Sequence, residues 1–140
     1  MTLLNLEMNL RVVGALLFVL AALNLVLPRK FSWHTELQRL TLLTRQIFIV
    51  HCCFIVLVLI LMGALALFFA PLLLDHSPLA RLVLSGLALF WGVRLFFQWF
   101  VYSPKLWRGN RLNTTMHIVF SAVWLYFSAT FATAWVRSFH

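Results

Sequence analysis

Apolar residues fall in four long runs, about Met8–Leu27, Gln46–Ala70, Leu82–Tyr102 and Thr114–Val136, parted by short polar segments. An α-helix rises about 1.5 Å per residue, so about 20 residues cross a hydrocarbon core ~30 Å thick, and every run is that long. Lipid offers the backbone no hydrogen-bond partners, so each run is predicted to be a helix that satisfies its own N–H and C=O groups. The period-2 alternation of a membrane β-strand is missing from all four. Pro28, Pro71 and Pro104 are placed to end the first three helices, and Pro78 marks the loop into the third, because proline cannot continue the hydrogen-bond ladder. In the first loop Phe31, Trp33, Leu37, Leu40 and Leu43 or Thr44 recur every three to four residues, with Lys30, Gln38 and Arg39 between them. That pattern predicts an amphipathic interfacial helix over about 32–45, running on toward helix two, with Ser32 or Thr35 to cap it. The expected fold is an all-α integral membrane protein. It is a single domain over 1–140, a four-transmembrane-helix up-down bundle with ordinary left-handed packing.

Composition sharpens the class. The chain is 64% hydrophobic and 10% charged, where a soluble domain carries roughly 25% charged residues. A soluble domain of 140 residues has too little interior to hide that much apolar surface. The net charge of +8 comes from eleven Lys and Arg against Glu7, Glu36 and Asp75. Four bases, Arg29, Lys30, Arg39 and Arg45, lie between helices one and two, and Lys105, Arg108 and Arg111 lie between helices three and four. The opposite side has Arg81 with Asp75 in the second loop, and Arg11 and Arg137 in the tails. The positive-inside rule then places loops 28–45 and 103–113 in the cytoplasm and both termini outside. It accounts for the basic charge without a nucleic-acid partner. Trp33, Trp99, Tyr102 and Trp107 near the basic end, with Trp135 and Phe139 near the other, read as aromatic belts. Met1–Pro28 superficially resembles a secretory leader, but Glu7 precedes its apolar core, no basic segment comes first and no A-x-A site follows, so it reads as a retained helix. Short loops suit a bacterial inner membrane.

Polar residues inside the apolar runs carry whatever chemistry the chain has. Arg94 sits near the middle of the third, and no run contains an Asp or Glu. A cation at that depth is costly and marks a candidate functional site. Asn24, His51, Gln98 and His117, one from each helix, fall about 5–8 Å inside the basic-side boundary, and Arg94 lies one turn deeper on the face of Gln98, with Trp91 continuing that face. On helix four His117, Ser121, Ser128 and Ala132 form a small or polar stripe that is predicted to face inward, with Phe120, Phe127 and Phe131 directed elsewhere. Ala66 with Ala70, and Ser128 with Ala132, are small-residue pairs of the kind that let helices approach.

Three functions suit this layer. In the first, the polar residues are interhelical hydrogen-bonding glue in a non-catalytic accessory, assembly or lipid- or partner-binding protein. Arg94 then pairs with carbonyls, with Glu36 or with lipid phosphate. In the second, His51 and His117 ligate a haem b, with Arg94 facing a propionate, or a copper ion with Met116 and Cys52 as soft neighbours. In the third, Arg94 binds or helps to translocate an anion, with Gln98 and the histidines as donors, in a self-associated chain. The partners expected are the bilayer and another membrane subunit or a second copy.

Other candidates carry little. Adjacent Cys52 and Cys53 in an apolar run read as packing residues, since neighbours rarely reach disulfide geometry. Asp75-His76-Ser77 reads as a turn before Pro78 and not as a catalytic set. Asn113-Thr114-Thr115 matches a glycosylation sequon but falls at the membrane edge on the side assigned to the cytoplasm. Neither a phosphate loop nor a zinc spacing occurs, and three acids outside the helices do not form a hydrolytic carboxylate pair.

Overall fold

The computed structural model describes residues 3–30, 37–101 and 111–139, and among these it is all-α. Four helices are long and apolar enough to span a membrane: α1 (Leu3–Lys30), α2 (Leu42–Phe68), α4 (Pro78–Phe100) and α5 (Arg111–Arg137), with a single turn, α3 (Ala70–Leu73), after α2. The chain is an integral membrane protein of the four-transmembrane-helix class.

Helix ends follow local chemistry more closely than proline placement alone suggests. Thr41 caps α2, its Oγ1 accepting from the Thr44 N–H at 3.3 Å. Helix two therefore begins at Leu42, and a turn over 38–40 separates it from helical Leu37, whose carbonyl accepts the Leu40 N–H. Of the interfacial helix predicted for 32–45, residues 32–36 lie outside the described residues, Leu37 is helical, 38–40 are a turn, and 42–45 are the first turn of α2, so its far end is moved back from residue 45. α1 runs through Pro28 to Lys30. A proline in the last turn forfeits only one backbone bond, and the next residues still donate to carbonyls upstream. Pro78 is not loop but the first residue of α4, behind the N-cap Ser77, where a missing N–H costs nothing. α2 ends at Phe68, three residues before Pro71.

The chain forms two compact units. In the unit Leu10–Ala70, α1 and α2 pack antiparallel. Leu10, Val13, Leu17, Leu20 and Ala21 are buried at helical spacing on α1, and Val56, Leu59, Gly63 and Ala66 on α2. Gly14 and Gly63 make the crossing possible. A Cβ on Gly14 would lie 2.5 Å from the Leu67 nitrogen and 2.8 Å from the Gly63 carbonyl oxygen. Phe18 meets Phe68 edge-on, ring centroids 6.4 Å apart. From Leu42 to Ile55, α2 is apolar nearly all round, yet no residue there is buried. Such a surface is stable against lipid and not against water.

The second unit comprises Met1–Asn9 and Pro71–His140. Its centre is the antiparallel pair α4 and α5. Leu84, Leu87 and Trp91 of α4 and Trp124, Phe127, Phe131 and Ala134 of α5 are buried. This corrects the stripe predicted on helix four: Phe127 and Phe131 are wholly enclosed. Each large aromatic buries roughly 150–250 Å², so packing favours rings over hydroxyls. The Ser128 hydroxyl needs no partner helix, because it donates to the Trp124 carbonyl of its own helix at 2.8 Å.

Candidate functional site

On α4, Trp91, Arg94 and Gln98 follow at three- and four-residue spacing and share a face. Trp91 and Gln98 are buried and Arg94 is half-buried. α5 brings Trp124 against them. The two indoles stack with centroids 5.1 Å apart and planes 19° from parallel. Phe127 meets Trp91 edge-on at 4.9 Å, and Phe120 stacks on Trp124 at 5.7 Å. The guanidinium carbon of Arg94 lies 4.9 Å from the centre of the Trp124 ring. A cation over an indole face is worth about 2 kcal/mol once water is removed.

A chain of hydrogen bonds then joins the three polar residues. Arg94 NH1 donates to Gln98 Oε1 at 3.3 Å, and Gln98 Nε2 lies 2.8 Å from His117 Nδ1. Polarity along this chain follows from its first member. Arginine only donates, so the amide oxygen of Gln98 must face it, and the amide nitrogen must face His117. That nitrogen also only donates, so His117 Nδ1 accepts, and the neutral imidazole carries its proton on Nε2. Its bond to Gln98 turns the Arg94 side chain toward the Phe100 end of α4, although side chains on a helix lean toward its N-terminus. The guanidinium is thus drawn toward the helix end that adjoins the basic loop. Phe100 is six residues beyond Arg94, and His117 is six residues inside the start of α5, so each lies about 9 Å from its helix end.

The same stack encloses three further polar groups. The indole N–H groups of Trp91 and Trp124 and the hydroxyl of Ser121 are enclosed, and none has a hydrogen-bond partner among the described residues. Indoles can only donate.

Asn24 and His51 belong to the other unit. The Asn24 amide donates to the Leu20 carbonyl one turn back at 2.8 Å. His51 is exposed on α2, on an open groove of about 380 Å³ lined by Leu43, Gln46, Ile47, Val50 and Phe54 of the same helix. Met116 is exposed and Cys52 half-buried. Among the described residues no three His, Cys, Asp or Glu side chains gather as a metal site.

Several polar contacts had no sequence-level signal beyond the residue type. Arg11, inside the first helix and read as a tail charge, points NH1 at the Leu67 carbonyl, 3.4 Å away. That carbonyl would normally receive the N–H of residue 71, which is proline and has none. At the end of α5, Arg81 Nε donates to the Ser138 carbonyl at 3.0 Å, His76 Nδ1 lies 3.3 Å from the same oxygen, and the Arg81 guanidinium covers the Phe139 ring at 4.9 Å. His76 takes φ 61°, a left-handed conformation that histidine tolerates better than most residues. Beside it the Asp75 carboxyl accepts from the Ser77 hydroxyl and, at Oδ1, from the Ser77 N–H at 2.9 Å, which together hold it below the usual carboxylate range. Tyr126 donates to Asn9 Oδ1 at 2.6 Å, and the Asn9 amide donates to the Asn5 carbonyl.

Two of these arginines are explained by helix ends: C-terminal carbonyls carry partial negative charge, and Arg11 and Arg81 sit on them. Arg94 differs from them in that its guanidinium donates to a side chain, that of Gln98. No protein-family model, no curated protein and no solved structure matches this chain.

Proposed function

We propose that the chain is a non-catalytic accessory or assembly protein of a bacterial inner membrane, and that α4 and α5 bind a lipid or a membrane subunit through Arg94. The carrying observation is the hydrogen-bonded chain from Arg94 through Gln98 to His117. It presents donors, and it holds a guanidinium in one direction inside an apolar helix pair. Such an arrangement suits recognition of an acceptor group and offers no nucleophile or general base. Haem ligation by His117 is disfavoured on the same ground: a ligating Nε2 must be unprotonated, whereas an Nδ1 that accepts from Gln98 puts the proton on Nε2. In this reading the basic loops 28–45 and 103–113 are cytoplasmic and both termini lie outside.

The test compares wild type and Arg94→Ala, purified in mild detergent, by native mass spectrometry and visible spectroscopy. Wild type is expected to be colourless and to carry bound lipid or a membrane subunit that Arg94→Ala lacks. Identical adducts in the two proteins would remove the binding role. A Soret band lost in both His51→Ala and His117→Ala would replace the reading with haem redox chemistry.

A further inference from the structure

We infer that α2 pairs in parallel with α2 of a second copy of this chain, and that Gln46 of each copy hydrogen-bonds His51 of the other. This interface is separate from the binding assigned to α4 and α5 and does not depend on Arg94. Helix α2 spends one face on α1, through Val56, Leu59, Gly63 and Ala66. Two residues turn a helix by about 200°, so Phe54, Leu57 and Leu61, each two positions before one of these, lie on the opposite face. They continue a stripe of Leu43, Ile47, Val50, Phe54, Leu57 and Leu61, whose steps alternate between four and three residues. All six are exposed. That spacing keeps one seam facing a partner along a left-handed helix pair, the commoner hand in membranes.

Lipid covers an apolar stripe as well as another helix does, because acyl tails are as apolar as leucine. The polar residues beside the stripe decide between them. Within 46–70, Gln46 and His51 are the only side chains that carry nitrogen or oxygen. Both are exposed, and both line the open groove with Leu43, Ile47, Val50 and Phe54. Turned to lipid, each would hold a hydrogen-bonding group against hydrocarbon, which is costly. They flank the seam on its two sides: Gln46 precedes Ile47, and His51 follows Val50. In a parallel pair in register, a residue just before the seam meets the partner's residue just after the seam in the next heptad. His51 stands in that place, five residues after Gln46. Each helix therefore carries the complement of its own polar residue, and twofold symmetry makes the contact twice. An amide both donates and accepts, so it matches an imidazole nitrogen in either tautomer. A second copy also supplies the direction, since every copy crosses the bilayer the same way and offers α2 parallel to α2.

The experiment places single cysteines in full-length protein that carries Cys52→Ala and Cys53→Ala, reconstitutes it in phosphatidylcholine vesicles and oxidises it. Val50→Cys and Leu57→Cys lie on the stripe; Ile49→Cys and Ile60→Cys are exposed positions off it. The first two are expected to give a disulfide-linked species of doubled mass, because symmetry sets each stripe residue against its own counterpart, and the other two to give none. Association is then read by energy transfer between labelled copies over a lipid dilution series, with helicity checked by circular dichroism. Gln46→Leu and His51→Leu are each expected to weaken association about tenfold, the scale of two lost interhelical hydrogen bonds. The double variant is expected to lose no more than either single one, since all three break the same pairs. Crosslinking at Ile49 and Ile60 equal to that on the stripe would overturn the parallel seam. Association unmoved by Gln46→Leu and His51→Leu would overturn the polar pairing. Monomers at every dilution would give the stripe to lipid or to a different protein and overturn the inference whole. Each of these failures leaves the reading of Arg94 standing, because none of the variants touches α4 or α5.

Discussion

Single atoms decide how close α1 and α2 come. Gly14 lies against backbone, so an added methyl group has nothing flexible to displace: its neighbours would be the Leu67 nitrogen at 2.5 Å and the Gly63 oxygen at 2.8 Å. Gly63 is less tight, with the Gly14 oxygen at 3.1 Å from its ideal Cβ. Gly92 on α4 has no described atom within 4 Å. Gly14→Ala is therefore expected to destabilise the protein by about 1–3 kcal/mol, the scale of overpacking, whereas Gly92→Ala is expected to be neutral or slightly stabilising through helix propensity. Thermal unfolding in one detergent checks both, and a Gly14→Ala protein as stable as wild type would refute the close crossing. Neither glycine's role could be read from the chain. The sequence offers Ala66–Ala70 and Ser128–Ala132 as equally good small pairs, and only the facing backbone distinguishes them. Arg94, Gln98 and Trp91 were legible as one face, because helical spacing alone places them there. Trp124 was not, since the register of α5 against α4 has no trace in local pattern.

At the scale of elements, helix ends are set by caps and turns more than by the apolar runs they bound. The short Asp75–Ser77 turn shows this. Ser77 Oγ accepts the Ala80 N–H at 3.1 Å, Pro78 fills the first helical position, and Asp75 accepts from Ser77. The sequence marked the turn and could not place Pro78 inside the helix, because a proline reads equally as a stop or as a first residue. The ionised Asp75 carboxylate accepts the Ser77 bonds, which lowers its pKa in the folded state. A depressed carboxyl pKa contributes stability that is present above the unfolded value and lost as pH falls through the folded one. Wild type is thus expected to lose slightly more stability than Asp75→Asn as pH drops below the ordinary carboxylate range. Melting temperatures from pH 6 to pH 3, about the span in which exposed carboxylates titrate, measure it. Parallel curves for the two proteins would show that the turn owes nothing to the charge. The amphipathic pattern over 32–45 overran the start of helix two for a related reason. Periodicity reports which residues would share a face of a helix, and the Thr41 cap decides where a helix starts.

For the whole molecule, charge and hydropathy act together. Seven loop bases on one side against three toward the other should orient all four spans. A fusion of alkaline phosphatase to the C-terminus is expected to be active and the corresponding green fluorescent protein fusion dark; the reverse pair would invert the topology and move Arg94 to the outer leaflet side. By itself the sequence determined the class: four spans, their helical state and an arginine within one of them follow from length, hydropathy and the demand that backbone groups in lipid bond within their own segment. Tertiary structure alone decided which side chains meet. It put rings and not hydroxyls at the centre of α4 and α5, turned Arg11 to the carbonyl orphaned by Pro71, and linked Arg94 through Gln98 to His117. Those outcomes depend on the rotation and register of one helix against another. Side-chain volumes and donor–acceptor matching settle these across residues 19 or 56 positions apart in the chain, beyond the reach of any local pattern.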